Sequence, residues 1–119
     1  MTVEEMEYVR KHLNEIVEKA KEGDEEAFEQ LMGLVETRAK NRVKYKLGEK
    51  FVDEVVQEAR IAAFQGLKNL QDNMKFESWF FAILNFKIID AIRKKTTRKK
   101  VPVLISWKKI WEINVVKCF

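Results

Sequence analysis

The chain offers few places to turn. Its 119 residues include one proline and four glycines, and three of these breakers, Gly23, Gly48 and Pro102, end stretches of helical apolar spacing. With so few turn formers, long helices joined by short connections are the default. Residues 3–21 place Val3, Met6, Val9, Leu13, Ile16, Val17 and Ala20 at spacings of three, four and one, the stripe of an amphipathic helix. Gly23 stops that helix, and Asp24 is placed to cap the next by accepting a bond from a free backbone N–H. A second helix is expected over about 25–47, with Phe28, Leu31, Leu34 and Val35 on its apolar face. Its latter half is basic, through Arg38, Lys40, Arg42, Lys44 and Lys46, and Gly48 ends it.

A third helix is expected over about 51–70. Val52, Val55, Val56, Ala59, Ala62, Ala63, Phe64 and Leu67 face inward, the alanines permitting close approach of a neighbour. The polar residues 71–75 read as a loop. The fourth helix, about 76–99, is apolar nearly all round in its first half, so it is either central or has a partner for a second face. It turns basic from Arg93 to Lys100, and Pro102 ends it. After it, Ser106 could cap a short helix with Trp107, Ile110, Trp111 and Val115 on one face, while a β reading of 101–105 stays open. The expectation is an all-α, compact bundle of four main helices over residues 1–103, with 104–119 as a tail.

Charge is segregated. Residues 1–36 carry a net −7, residues 37–50 +5, residues 51–80 −2 and residues 81–119 +8. Such asymmetry suits separate faces for separate partners, and a polyanion such as nucleic acid is the obvious match for the basic C-terminal part. Solvated helix faces would account for any one cluster by itself. A single cysteine, Cys118, excludes an internal disulfide framework and fits a reducing compartment. No apolar run reaches the ~20 residues of a membrane span. The acidic, amphipathic start is wrong for a signal peptide, so the cytoplasm is the default location.

Catalytic chemistry finds little support. His12 is the only histidine and reads as a surface residue. There is no CxxC, HExxH or clustered His/Cys set, and no glycine-rich phosphate loop. Ser78 and Ser106 have no histidine base near in sequence. The acidic groups Glu4, Glu5 and Glu7, or Asp24, Glu25 and Glu26, are explained by the preference for acids at helix N-termini. No enzyme activity, metal or cofactor is expected.

Three segments in fixed order carry the functional signal. They are Gly23-Asp24-Glu25-Glu26-Ala27-Phe28-Glu29-Gln30-Leu31, then Asp53-Glu54-Val55-Val56-Gln57-Glu58, then Phe76-Glu77-Ser78-Trp79-Phe80 continuing through Ile83 to Ile88-Ile89-Asp90-Ala91-Ile92-Arg93-Lys94. Together they resemble domain 2 of the sigma-70 family of bacterial RNA polymerase sigma factors, over about residues 20–103. The likeness is nearest to the short alternative types, the sporulation and extracytoplasmic-function factors.

The resemblance implies a transcription-initiation role without catalysis. The second segment, matching a family pattern Asp-Leu-(Val/Ile)-Gln-Glu, would dock on a coiled coil of the beta-prime subunit of core RNA polymerase through Glu54, Gln57 and Glu58. These fall at i, i+3 and i+4 on one helix face, where acids and an amide can bond a basic partner. The third segment resembles the helix that melts the promoter and reads the non-template strand of the −10 element. Trp79 falls at the family's base-stacking position, and aromatic faces can hold an unstacked base. Asn85, Lys87, Arg93, Lys94, Arg98 and Lys99 are further DNA-contact candidates. The basic stripe 38–46 and the run 93–100 would grip phosphates, fixing position without reading sequence. The loop 71–75 resembles the one that receives a flipped −10 base, with Asn73 and Lys75 as candidates there.

The chain departs from the family pattern in places. The tandem tryptophans of housekeeping members map to Ala82 and Ile83. Their −12-reading Gln maps to Phe86, as does the Asn common in short members, with Asn85 one place early. Weaker and more sequence-dependent melting is therefore expected. A complete member continues through a polar linker into a second helical domain that reads the −35 element, for which residues 104–119 are too short. A shortened gene, a single-domain protein working with a separate −35 reader and a divergent regulator all fit. The competing function is an interaction module that binds polymerase or an anti-sigma factor and never opens DNA.

Overall fold

The computed structural model describes residues 1–96, and every regular element in it is helical. α1 runs Val3–Lys11, α2 Leu13–Lys21, α3 Glu25–Leu47, α4 Val52–Gly66 and α5 Phe76–Thr96. Short 3₁₀ turns at Glu49–Phe51, Leu67–Asn69 and Asn73–Lys75 join the later helices. The expected all-α fold is what forms. The expectations for residues 97–119, including Arg98, Lys99 and the tail, lie outside the described residues.

Local chemistry sets the helix ends. Thr2 caps α1, its hydroxyl accepting from the Glu5 N–H at 3.2 Å. Asp24 caps α3 as expected, accepting from the Ala27 N–H at 3.2 Å. Gly23 and Gly48 hold φ of 102° and 94°, a region that a side chain at Cβ makes costly, which is why glycine sits at both breaks.

The helix expected over 3–21 is interrupted at His12. The residue has φ −108° and ψ 24°, off helical values. Its ring Nδ1 lies 3.0 Å from the Tyr8 carbonyl oxygen, so the ring N–H bonds the acceptor that the helix ladder also uses. The imidazole lies against the Tyr8 ring, centroids 4.3 Å apart. His12 is therefore half-buried at a bend rather than a plain surface residue. The bend lets Leu13, Ile16, Val17 and Ala20 of α2 turn onto α3, with Val9 of α1 also buried.

The core lies among α3, α4 and α5, with α2 closing one side. α3 is buried along its full length: after Phe28, Leu31, Leu34 and Val35, the residues Ala39, Val43 and Leu47 continue the stripe between the basic side chains. Ala59 and Ala63 of α4 are wholly buried, so this helix packs closely. α5 is the central element. Phe76, Phe80, Ile83 and Leu84 are fully buried. Phe76 lies with its ring centroid 6.0 Å from that of Trp79 and 6.3 Å from that of Phe80. One inward assignment on α4 is overturned: Phe64 is 53 % exposed, because it points into the α3/α4 groove, edge-on to Phe28 at 5.2 Å.

Trp79 is 1 % exposed. Replacing it with Ala should cost about 3–5 kcal/mol, the usual loss for deleting a buried large aromatic. That is a large share of the ~5–15 kcal/mol that holds a domain together. Urea denaturation of the variant should show the midpoint fall accordingly.

Candidate polymerase and nucleic-acid interfaces

Three helices packed side by side leave three grooves, and each has its own chemistry. The α3/α4 groove, about 340 Å³, is lined by Phe28, Glu29, Gln57, Arg60, Ile61 and Phe64. Arg60 pairs with Glu29 across it, and the guanidinium lies 5.7 Å from the Phe28 ring centroid. The α4/α5 groove, about 210 Å³, is lined by Glu54, Val55, Glu58, Asp90, Ala91 and Lys94. It is acidic apart from Lys94, whose ammonium pairs with Asp90 at 3.4 Å.

The outward ridge of α4 separates these two grooves. Glu54 and Gln57 are exposed on it, and Glu58 is half-buried. The three residues thus share a ridge but line different grooves, Gln57 facing α3 and the two acids facing α5. One turn further along, Ile61 is 48 % exposed and Phe64 flanks it. Sequence reasoning missed this apolar patch, because Phe64 fits a buried helical stripe as well as an exposed edge.

The α3/α5 groove is basic and aromatic. The two helices run in the same direction past each other: Arg38 meets Glu77 and Phe81, and Arg42 meets Phe81 and Asn85. The Arg38 and Arg42 guanidiniums lie 5.1 and 4.9 Å from the Phe81 ring centroid, within the range of cation–π attraction. Arg42 donates to Asn85 Oδ1 at 3.2 Å. Glu77 Oε1 accepts from Arg38 and, at 3.3 Å, from Arg10 of α1. A single carboxylate therefore ties α1, α3 and α5 together. Phe81 and Glu77 were not among the expected site residues; the basic stripe 38–46 and Asn85 pointed here.

The expected DNA-contact residues scatter. Asn85, Arg93 and Lys94 are exposed on α5, together with Ile89 and Ile92. Lys87 is half-buried, and Lys75 is exposed on the last 3₁₀ turn. Trp79 and Asn73 are both buried. Trp79 is in the core, since it lies on the inward side of α5 with Phe76, Phe80 and Ile83, and its indole presents no open face to a base. Asn73 is 6 % exposed. Its amide N–H groups donate to Asn14 Oδ1 at 2.9 Å and to Glu18 Oε1 at 2.7 Å, so it fastens the connection before α5 onto α2. Among the described residues no cluster of three or more His, Cys, Asp or Glu side chains could hold a metal. No described helix is long and apolar enough to cross a membrane.

The all-helical core agrees with what sequence comparison finds. The family model for sigma-70 region 2 matches residues 27–98, and the chain belongs to that family. It is similar to a probable RNA polymerase sigma factor of Haemophilus influenzae, 46% identical over 43 residues, which are 36% of this chain and 22% of the relative. It is also similar to the ECF RNA polymerase sigma factor SigW of Bacillus subtilis, 29% identical over 80 residues, 66% of this chain and 43% of that protein. The chain thus spans less than half the length of each of these relatives. No solved structure gives a significant match.

Glu77→Gln tests the tie among α1, α3 and α5. Part-exposed ion pairs contribute up to about 1 kcal/mol each at low salt. The variant should lose roughly 1 kcal/mol in dilute buffer, and the difference should shrink at ~1 M salt, where the Debye length falls to about 3 Å. Paired denaturation curves at the two salt concentrations check both parts.

Proposed function

We propose that this chain is the polymerase-binding and −10-recognising part of an extracytoplasmic-function-type sigma factor. The observation that carries this reading is the separation of two unlike surfaces on a sigma-70 region 2 fold. The α4 ridge presents Glu54, Gln57 and Glu58 beside an exposed Ile61 and Phe64. The α3/α5 seam presents Arg38, Arg42 and Asn85, with Arg93 further along α5.

The ridge has the chemistry of a protein interface, with apolar anchors and acids at the rim. It suits a basic coiled coil such as that of the beta-prime subunit. An anti-sigma factor would find the same anchors there. The seam has the chemistry of a polyanion interface, where arginines take phosphates and Asn85 can reach a base edge.

Melting is the weaker half of the reading, and burial of Trp79 and Asn73 favours the second one. Of the three residues expected to capture an unstacked base, Trp79 and Asn73 are buried and Lys75 is exposed. A protein that binds polymerase and DNA without opening the duplex, or binds polymerase alone, fits those positions better. Binding to forked and duplex −10 DNA, with and without core polymerase, separates the readings. A preference for forked DNA that needs core supports promoter opening; equal or no DNA binding leaves the interaction module.

Reversing charge at Glu54 and Glu58 together should abolish core binding with helicity unchanged. Ile61→Ala and Phe64→Ala should each weaken it; Phe64→Ala should also cost about 1 kcal/mol of stability through its edge contact with Phe28. Pull-down with core polymerase, alongside circular dichroism, checks both. Core binding at parental strength in the charge-reversed protein would remove the α4 ridge from the interface.

A further inference from the structure

With Trp79 enclosed, an exposed aromatic on the basic side has to be sought elsewhere. Among the described residues the exposed aromatics are Tyr8, Tyr45 and Phe64. Tyr8 lies tilted against the His12 ring, centroids 4.3 Å apart, and Phe64 is edge-on to Phe28 in the groove beside Glu25 and Glu29. Phe81 lies on the basic seam, but it is half-buried and two guanidiniums lie over it. Tyr45 differs from all of these. It is 86 % exposed, and its chain neighbours are Lys44 and Lys46, with the Lys46 ammonium 5.8 Å from the ring centroid.

Its place on α3 continues the seam. Arg38, Arg42, Tyr45 and Lys46 follow at i, i+4, i+7 and i+8, so they share one stripe of the helix. Because α3 and α5 advance together, with 38 beside 77 and 81 and 42 beside 81 and 85, the next turn of α3, with Tyr45 and Lys46, advances along α5 past Asn85 towards the exposed Ile89. The stripe thus runs from the arginines that bracket Phe81 to an open phenol ring flanked by cations, in the direction of Arg93.

We propose, as an extension of the DNA-binding half of the function above, that Tyr45 is the stacking platform of a single-strand DNA track formed by Arg38, Arg42, Tyr45 and Lys46. The ring is broad, flat and solvent-facing, which suits a base lifted out of its stack. The flanking cations hold the phosphates on either side of it. Aromatic stacking with adjacent basic side chains is the general means of gripping single strands without reading their sequence. Tyr45 contributes nothing to the core, so packing does not explain a large apolar ring at this exposed helical position.

The test uses the full chain without polymerase and a fluorescently labelled single strand of mixed sequence, with the matching duplex as control. Tyr45→Ala should lose about ten- to a hundredfold in affinity for the strand, the range seen when one stacked base loses its aromatic. Duplex binding should be unchanged, and Tyr45→Phe should bind the strand like the parent. Arg42→Ala and Lys46→Ala should weaken strand and duplex alike and lower the salt slope on the strand by about 0.7 for each phosphate no longer neutralised. A single strand carrying 5-iodouracil should photocrosslink to Tyr45.

Strand affinity unchanged in Tyr45→Ala would overturn the proposal, as would an equal loss on strand and duplex. Failure of the parent to bind the strand, with polyglutamate bound instead, would overturn it in favour of an acidic protein partner. The −10 reading fails separately, through loss of preference for the −10 sequence on core polymerase while the Tyr45 effect on mixed-sequence strand persists.

Discussion

Everything in this molecule is arranged around the first half of α5. Phe76, Trp79, Phe80, Ile83 and Leu84 form a segment that is apolar on more than one side, and no single neighbour could cover it. α3 and α4 cover it together, with the wholly buried Ala59 and Ala63 on α4. Each large side chain buried there contributes on the order of 1.5–3 kcal/mol of transfer free energy, set against the backbone entropy of ordering the helix. Three helices packed around this segment leave grooves between them at the surface. The surfaces proposed for polymerase and DNA are those grooves and the ridges between them.

Charge segregation along the chain becomes segregation in space through this packing. α3 contributes to two of the grooves. Its acidic N-terminal half faces α4, where Glu29 meets Arg60, and its basic C-terminal half faces α5, where Arg38 and Arg42 meet Phe81 and Asn85. A partner with a basic surface and a partner with a phosphate backbone would thus approach from different directions. Lys94 is the exception, since it sits on the acidic side paired with Asp90 and lines the same groove as Glu54 and Glu58. A polymerase contact there and a phosphate contact through Lys94 would compete for the same space.

α1 and α2 act on this arrangement from outside. The bend at His12 turns α2 onto α3. From α2, Asn14 and Glu18 hold Asn73, and Lys21 donates to the Leu70 carbonyl at 2.7 Å. The connection between α4 and α5 is therefore pinned rather than open, and the position of the α5 N-terminus depends on the N-terminal helices. Glu77, taking Arg10 and Arg38 on one oxygen, completes that dependence.

The sequence by itself determined the helices and their order, because apolar period, a capping Asp24 and glycines at 23 and 48 are local signals. It also determined the outward ridge of α4, since Glu54, Gln57 and Glu58 at i, i+3 and i+4 share a face in any helix. It did not reveal the bend at His12, where a side chain competes with the backbone for the Tyr8 carbonyl. Nor could it divide aromatic residues between core and surface. Trp79, Phe81 and Phe64 all sit in apolar surroundings along the chain, yet one is enclosed, one lies under two guanidiniums and one is exposed. Tyr45, in a run of lysines, is open to solvent. Only the packing of α3 and α4 around α5 decided these outcomes, because burial depends on which face of a helix its neighbours occupy, and that is a property of three helices at once.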